Sequence, residues 1–220
     1  MGLAKAEQKS LVIAVDGPAA SGKGTIARAL AAHYGLPHMD TGLVYRAVAL
    51  NLWRWGGDPG NEFEALRACD HLSFDPADEE LRSEPVSKIA SMISAYPSVR
   101  AALLKRQRDF ASQAGGAVLD GRDIGTVIAP DADVKLFVTA TPEVRAERRL
   151  KELERRGMPA HYPDVLADIH ARDERDSGRA VAPLKPAPDA LRLDTSALDQ
   201  QQAIAEALRL TDERLAHDAL

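Results

Sequence analysis

Short runs of apolar residues separated by stretches of helical periodicity run the length of this chain, and that alternation predicts an α/β fold. Residues 11–15 (LVIAV) are apolar and rich in β-branched side chains without polar alternation, the pattern of a strand buried on both faces of a parallel sheet. Further strands are expected at 36–40, 117–120 and 134–138, with an edge or closing strand at 190–193. The stretch after Thr25 places Ile26, Leu30 and Tyr34 on one helical face, and Gly35 ends it. Helices are also predicted over 43–55, 63–69, 86–93 and 98–114. Thr141-Pro142-Glu143 supplies an N-cap, a proline at the first helical position and an acid behind it, opening a helix that stops at Gly157. Helices at 165–176 and 199–215 complete the chain, the last an amphipathic scaffold element. Residues 56–61 form a turn cluster. Residues 71–84 are polar and irregular, anchored only by Leu72, Phe74 and Leu81, and are expected to be a small mobile excursion. Trp53 and Trp55 read as packing residues.

Between the first strand and the first helix lies Gly17-Pro18-Ala19-Ala20-Ser21-Gly22-Lys23-Gly24-Thr25, a match to G-x-x-x-x-G-K. A loop that cradles a polyphosphate turns its backbone N–H groups inward, which needs positive φ in places and no Cβ in the way. Its glycines meet that need, Lys23 can reach the outer phosphates, and the helix N-terminus that follows attracts anions. Where the usual motif has a Ser or Thr ligand for magnesium, Gly24 stands, with Thr25 one later. That departure leaves open how the magnesium shell divides between protein and water.

At 220 residues the chain suits one α/β domain with a smaller inserted or mobile segment. A net charge of −5 gives no reason to expect a nucleic-acid or membrane surface. Cys69 is the one cysteine, read as a small helix residue without chemistry; a disulfide framework is excluded, in keeping with a reducing cytoplasm. The first ten residues have no apolar signal core, Ala6 makes myristoylation of Gly2 unexpected, and no apolar run approaches a membrane span.

Arginines nevertheless cluster, which in an acidic protein suggests a local anion site. Arg46 sits one turn into its helix, where a cation is unfavourable to the dipole; it is either a solvated side chain or one aimed at a bound phosphate. Arg100 is similarly placed. The strand at 117–120 runs into Gly121-Arg122-Asp123, at the strand end where α/β sheets bind ligands, so Asp120, Arg122 and Asp123 form either a self-satisfied turn or part of a site. Asp120 is the candidate to orient magnesium or its waters. Arg145, Arg148, Arg149, Arg155 and Arg156 interleave with acids on one helix. Arg172, Arg175 and Arg179, with Asp173, Glu174 and Asp176, resemble a hinged flap whose guanidiniums grip phosphate.

The series phosphate loop, Asp40-Thr41-Gly42-x-x-Tyr45-Arg46, Asp120-Gly121-Arg122-Asp123-x-Gly125-Thr126, Arg172-Asp173-x-Arg175-Asp176 and Arg179-Ala-Val-Ala-Pro-Leu resembles the bacterial cytidylate kinase family over residues 11–210. That resemblance implies a P-loop kinase: a central parallel five-stranded sheet flanked by helices (core 11–41, 115–145 and 188–218), a small monophosphate-binding lobe (42–112) and a mobile Arg-rich lid (146–182). It implies ATP on Gly17 through Thr25 with Mg²⁺, and CMP or dCMP against Thr41, Tyr45, Arg46, Ser91, Arg100, Arg122, Asp123, Arg172, Asp176 and Arg179. Arg46 and Arg122 would take the acceptor phosphate, with Thr41 where the family usually has Ser. Ser91, Arg100 and Asp123 would read the cytosine edge, Arg172 and Asp176 the ribose, and Arg179 the transferring phosphates. Lys23, Arg122 and Arg179 would be catalytic. A monomer without nucleic-acid or membrane partners is expected. Residues 71–80 are shorter than the strand-rich insert typical of the family.

The chemistry of the base agrees. Cytosine presents an amino donor beside two acceptors, so Asp and Ser can accept from it while Arg100 donates; uracil turns O4 towards Asp123 and should be the weaker substrate. Other acceptors, such as UMP, AMP or shikimate, define the nearest alternative kinase. A nucleotide-switch or binding module would need an apolar partner surface and few phosphate-directed arginines, and the arginine clusters argue against it.

Overall fold

The computed structural model describes residues 10–70 and 72–217; residues 1–9, read above for targeting signals, and His71, at the start of the polar excursion, lie outside the described residues. Strands β1 (Leu11–Asp16), β2 (His38–Asp40), β3 (Gly116–Gly121), β4 (Val134–Thr139) and β5 (Leu191–Asp194) form one all-parallel sheet in the order β2-β3-β1-β4-β5. The pattern predicted all five, each within about two residues of its observed limits. β1 is central because its residues Ile13, Ala14 and Val15 are wholly buried and tolerate contact on both faces. β1 lies between β3 on one side and β4 on the other, and the chain crosses over it between β3 and β4, so the carboxyl ends of these strands open a crevice at the switch in strand order.

Helices α1 (Lys23–Tyr34) and α8 (Gln200–His217) cover one face, packing Ile26, Leu30, Ala203 and Ala207 against Ile13, Val15 and Leu136. Helix α5 (Pro97–Ala111) and a turn of π-helix at Ile124–Ile128 cover the other, with Leu119, Ile124 and Ile128 in the contact. A separate apolar cluster, centred on Val48, Leu52, Leu81 and Ile93, joins α2 (Thr41–Trp55), α3 (Glu62–Arg67), α4 (Glu84–Ile93) and the start of α5. A fourth cluster lies between α6 (Pro142–Arg155) and α7 (Tyr162–Ser177).

Local signals set most boundaries. Asp40 caps α2 by accepting from the Leu43 N–H, Thr141 caps α6 by accepting from Val144, and Gly35 ends α1 in the left-handed region. The π-turn at Ile124–Ile128 carries no such signal and was not read from the sequence. Two expectations are corrected. Trp53 and Trp55 are surface residues, 54 % and 46 % exposed, because the last turn of α2 runs past the cluster that its earlier turns bury; Arg67 lies over the Trp55 ring at 5.1 Å. The excursion before α4 contains a 3₁₀ turn, Glu79–Arg82, and is tied down: Leu81 is fully buried, and Arg54 binds Asp78 and Glu80. Leu81→Ala should therefore lower unfolding free energy by about 2–5 kcal/mol in a urea titration, the cost of a cavity rather than of a loop.

Candidate active site

The phosphate loop leaves β1 with its backbone forced by contact. A Cβ on Gly17 would stand 2.1 Å from the Val138 carbonyl oxygen of β4, so only glycine lets the chain pass. Ala20 and Gly22 take φ values of 58° and 90°, and Gly22 ends as the N-cap of α1 with no side chain covering the N–H groups behind it. α1 has no acid in its first turn, which leaves the positive end of its dipole uncompensated. The Lys23 Nζ donates to the Pro18 carbonyl at 3.4 Å. Burial, then the nearby Arg122 charge, pushes the Lys23 ammonium down to about 7 despite Asp120 and Asp40.

Above the loop lies a cleft of about 580 Å³. Of the loop residues, Ala19, Ala20, Gly22, Lys23, Gly24 and Thr25 line it; Gly17, Pro18 and Ser21 form the turn behind. Thr41, Tyr45, Arg46, Ser91, Arg100, Arg122, Asp123, Arg172, Asp176 and Arg179 all reach the same cleft, from α2, α4, α5, the end of β3 and α7. Residues more than a hundred positions apart are thereby brought together by the sheet and two helical clusters.

Their charges are organised in two groups. Asp176, only 1 % exposed, accepts from the Arg122 Nε at 2.8 Å and from the Arg179 Nη2, which also donates to the Ser94 hydroxyl at 3.0 Å. Burial would raise its pKa, but Arg122, Arg179 and Arg172 outweigh burial and hold the carboxyl below its ordinary range. In the second group Asp123 pairs with Arg100, whose other guanidinium nitrogen donates to the Ser94 carbonyl at 3.2 Å and whose carbon lies 5.7 Å from the Tyr45 ring centre. Arg122, Asp120 and Asp123 are thus not a self-satisfied turn: Arg122 and Asp123 each look to a different helix.

Several polar atoms are left without protein partners. The Ser91 hydroxyl, Arg172 Nε, Arg175 Nη1 and Arg179 Nε are buried and unpaired. Burial, then Arg122, lowers the Arg172 guanidinium from its usual range, with Arg46 and Arg149 adding to the repulsion and Asp176 opposing it. The loop lysine feels Arg172 as well as Arg122. Burial lowers the Arg179 guanidinium from its usual range; Asp176 opposes this, and Arg100 and Arg122 add to the repulsion. The cleft therefore holds a cation cluster short of anions between the loop and α7, and a donor–acceptor edge around Asp123, Arg100 and Ser91.

Near the end of β3, Asp120 Oδ1 lies 2.8 Å from His38 Nε2, and its other oxygen lies 3.6 Å from where a Gly24 Cβ would stand. Thr41 donates to the Asp120 carbonyl at 2.8 Å. Among the described residues no group of three acidic, imidazole or thiol side chains could enclose a metal by itself. Arg145, Arg148 and Arg149 of α6 have protein partners, and of these Arg149 also lines the cleft. Arg145 is buried in a two-point pair with Asp173 and donates to the Ala140 carbonyl, Arg148 donates to the Thr195 carbonyl and hydroxyl, and Arg149 binds Glu84 and Glu152. Burial raises the Cys69 thiol to about 11, in line with a residue without chemistry.

Sequence reasoning passed over His38, Ser94 and Asp16. Nothing local marks Ser94, which follows α4 and reaches Arg179 only through the fold. No described helix is long and apolar enough to cross a membrane.

Comparison with known proteins adds independent information. The family model for cytidylate kinase matches residues 13–213. A cytidylate kinase of Xanthobacter autotrophicus is 59 % identical over 94 % of this chain and 99 % of its own. Another, from Methylocella silvestris, is 56 % identical over 96 % of this chain and 97 % of its own. Among solved structures, an uncharacterized protein of Eubacterium ventriosum superposes with a TM-score of 0.54 at 16 % identity, covering 93 % of this chain and 99 % of that one, a likeness of fold.

Proposed function

The chain belongs to the cytidylate kinase family, and we propose that its cleft transfers the γ-phosphate of ATP to CMP, and to dCMP, giving ADP and the diphosphate. The observation that carries this reading is the pairing of an anion-short cation cluster beside the phosphate loop with a buried Asp123–Arg100–Ser91 edge across the same cleft. The first suits phosphates; the second suits a base with one amino donor beside two acceptors.

ATP lies along Gly17 to Thr25 in this reading, with its outer phosphates at Lys23 and the N-terminus of α1. The segment 42–112 acts as the monophosphate-binding lobe, 146–182 as the lid, and the sheet with its remaining helices as the core. CMP enters with its phosphate towards Arg46 and Arg122 and its base towards Asp123, Arg100 and Ser91. Arg172 and Asp176 face the ribose, and Arg179 completes the cationic wall on the side of Asp176. The attacking atom is already a phosphate oxygen, so no general base is needed. What the protein supplies is alignment of donor and acceptor and donors fixed where charge spreads in the transition state. The lid arginines close over the substrates and keep water from taking the γ-phosphate.

The donors near the loop fit a hard cation carried in with ATP. Thr25 and Asp120 would hold it or its waters, an arrangement that suits an ion bound chiefly through phosphate and water. When bound, Mg²⁺ neutralises charge on the donor phosphates. A monomer in a reducing cytoplasm suits the single thiol.

ADP release measured with MgATP and CMP, dCMP, UMP, AMP or shikimate tests the assignment. CMP should be turned over with at least a tenfold higher kcat/KM than UMP, and Asp123→Ala should erode that ratio, since uracil would otherwise oppose O4 to a carboxylate. Strong turnover of AMP over CMP would overturn it. A second expected outcome concerns protons. Because Lys23 is held near 7 in the free protein, a triphosphate that pairs with it should restore its proton. Calorimetric titration of ATP at pH 8 in buffers of different ionisation enthalpy should then read uptake approaching one proton, and less at pH 6, where the ammonium is already formed.

A further inference from the structure

Asp16, the last residue of β1, is 4 % exposed and touches no substrate-facing group, yet both of its carboxylate oxygens are used. Oδ1 accepts from the Ile124 N–H and Oδ2 from the Gly125 N–H, each at 2.8 Å. These are the first two N–H groups of the π-turn, and the residue at its N-cap is Asp123. An Asp in that place ordinarily turns its own carboxylate back onto the second or third N–H of the turn, here Gly125 or Thr126. Here Asp123 makes no such cap, and its carboxylate goes to Arg100 instead. The Asp123 carbonyl closes the turn by accepting from Val127 and Ile128 at 2.9 and 3.2 Å.

We propose that Asp16 is the positioning residue for base recognition: by capping the π-turn from the neighbouring strand it releases the Asp123 carboxylate for the base. This inference rests on the functional reading above. The next residue after Asp16 is Gly17, so the same residue joins the phosphate loop to the base-reading turn by one covalent step on one side and two hydrogen bonds on the other. Asp16 is in register with Gly121 of β3 and Phe137 of β4, at the middle of the sheet, where neither strand end is free to shift. Its environment shows a cost that packing alone would not require. Burial, with the Asp123 charge adding, pushes the carboxyl up to about 7 against the two N–H bonds and Arg122. An apolar residue at this point would avoid that cost but would leave two buried N–H groups unpaired.

Asp16→Asn keeps the shape and loses one acceptor, setting an amide NH₂ against one of the two N–H groups. CMP affinity, read by calorimetry without ATP and as KM, should fall roughly 5- to 50-fold. kcat at saturating CMP and KM for ATP should stay within about threefold of native, and the preference for CMP over UMP should narrow. In an Asp123→Ala background the same change should add little to the loss of preference, because Asp16 acts through Asp123. Equal losses in ATP and CMP affinity, additive effects in the double variant, or an unaltered preference would each overturn the role of Asp16 while leaving the kinase assignment in place. A native enzyme with no preference for CMP would overturn the functional reading and this inference with it. Hydrogen exchange on the native protein gives a readout free of any variant: CMP should slow exchange at Ile124 and Gly125, and unchanged rates there would also sink the proposal.

Discussion

Replacing Lys23 with alanine should lower kcat roughly 100- to 1,000-fold while the protein still folds, as read by steady-state ADP release beside a thermal melt. The expectation follows from where the ammonium sits. It sits half-buried at the start of α1, donates only a long bond to the Pro18 carbonyl, and is pushed down to about 7 by desolvation and by Arg122. Such a group contributes little to the free protein. Its folded value lies below the ordinary lysine value, so the folded chain binds fewer protons than the unfolded chain between about pH 7 and 10.5. Lys23 therefore detracts from stability most below about pH 7, and that penalty fades as pH rises from 7 to 10.5, where the unfolded chain loses the proton too. Alanine should leave the melting temperature equal or higher. Loss of activity with unchanged or raised stability is the signature of a residue held for charge on the substrate; a variant that lost both together would point to a structural lysine instead.

Asp176 should behave in the opposite way. Its carboxylate serves Arg122 and Arg179 at once and is nearly inaccessible to solvent. Asp176→Ala strands two buried guanidiniums beside Arg172, which already lacks a partner at Nε. Removing one member of a buried charge group costs about 3–5 kcal/mol, and urea unfolding at pH 7 should read a loss of that order together with at least a hundredfold loss of kcat/KM for CMP. Inorganic phosphate or CMP at millimolar concentration should return part of the lost stability by supplying the missing negative charge, an effect scaling with ligand over its dissociation constant. The pH dependence has a definite sign. The folded carboxyl lies below its ordinary value near 3.8, so its stabilisation is fully present above that value and is lost as pH falls below it. The native protein should therefore lose this contribution on acidification below about pH 4, and the variant should show no such component. A variant as stable as the native chain would mean that the Asp176 network is solvated and that the cleft is not short of anions.

Different parts of this molecule became legible at different levels. The strand runs, the G-x-x-x-x-G-K loop, the caps at Asp40 and Thr141, and the close of α1 at Gly35 all depend on residues within a few positions of each other, and they appear in the structure where the sequence places them. Arg46 and Arg100, conspicuous in the sequence as cations at the wrong ends of their helices, do face the cleft. The misfit with the helix dipole was a local sign that these side chains turn towards the cleft.

The pairing of charges was not legible in that way. Nothing near Arg122 in the chain indicates that its partner is Asp176, 54 residues on, or that Asp123 turns to Arg100 on another helix. Nor does an aspartate at the end of an apolar strand announce that it caps a turn more than a hundred residues away. The surface position of Trp53 and Trp55 and the burial of Leu81 were likewise decided by which face of α2 met its neighbours. By itself the sequence determined a parallel α/β core carrying a phosphate loop, because helix period, strand period and loop geometry are short-range properties of the backbone. Only the tertiary structure decided which cations keep a partner and which wait for an anion, because in a buried cleft a charge is settled by whichever groups the fold brings within about 3 Å, whatever their distance along the chain.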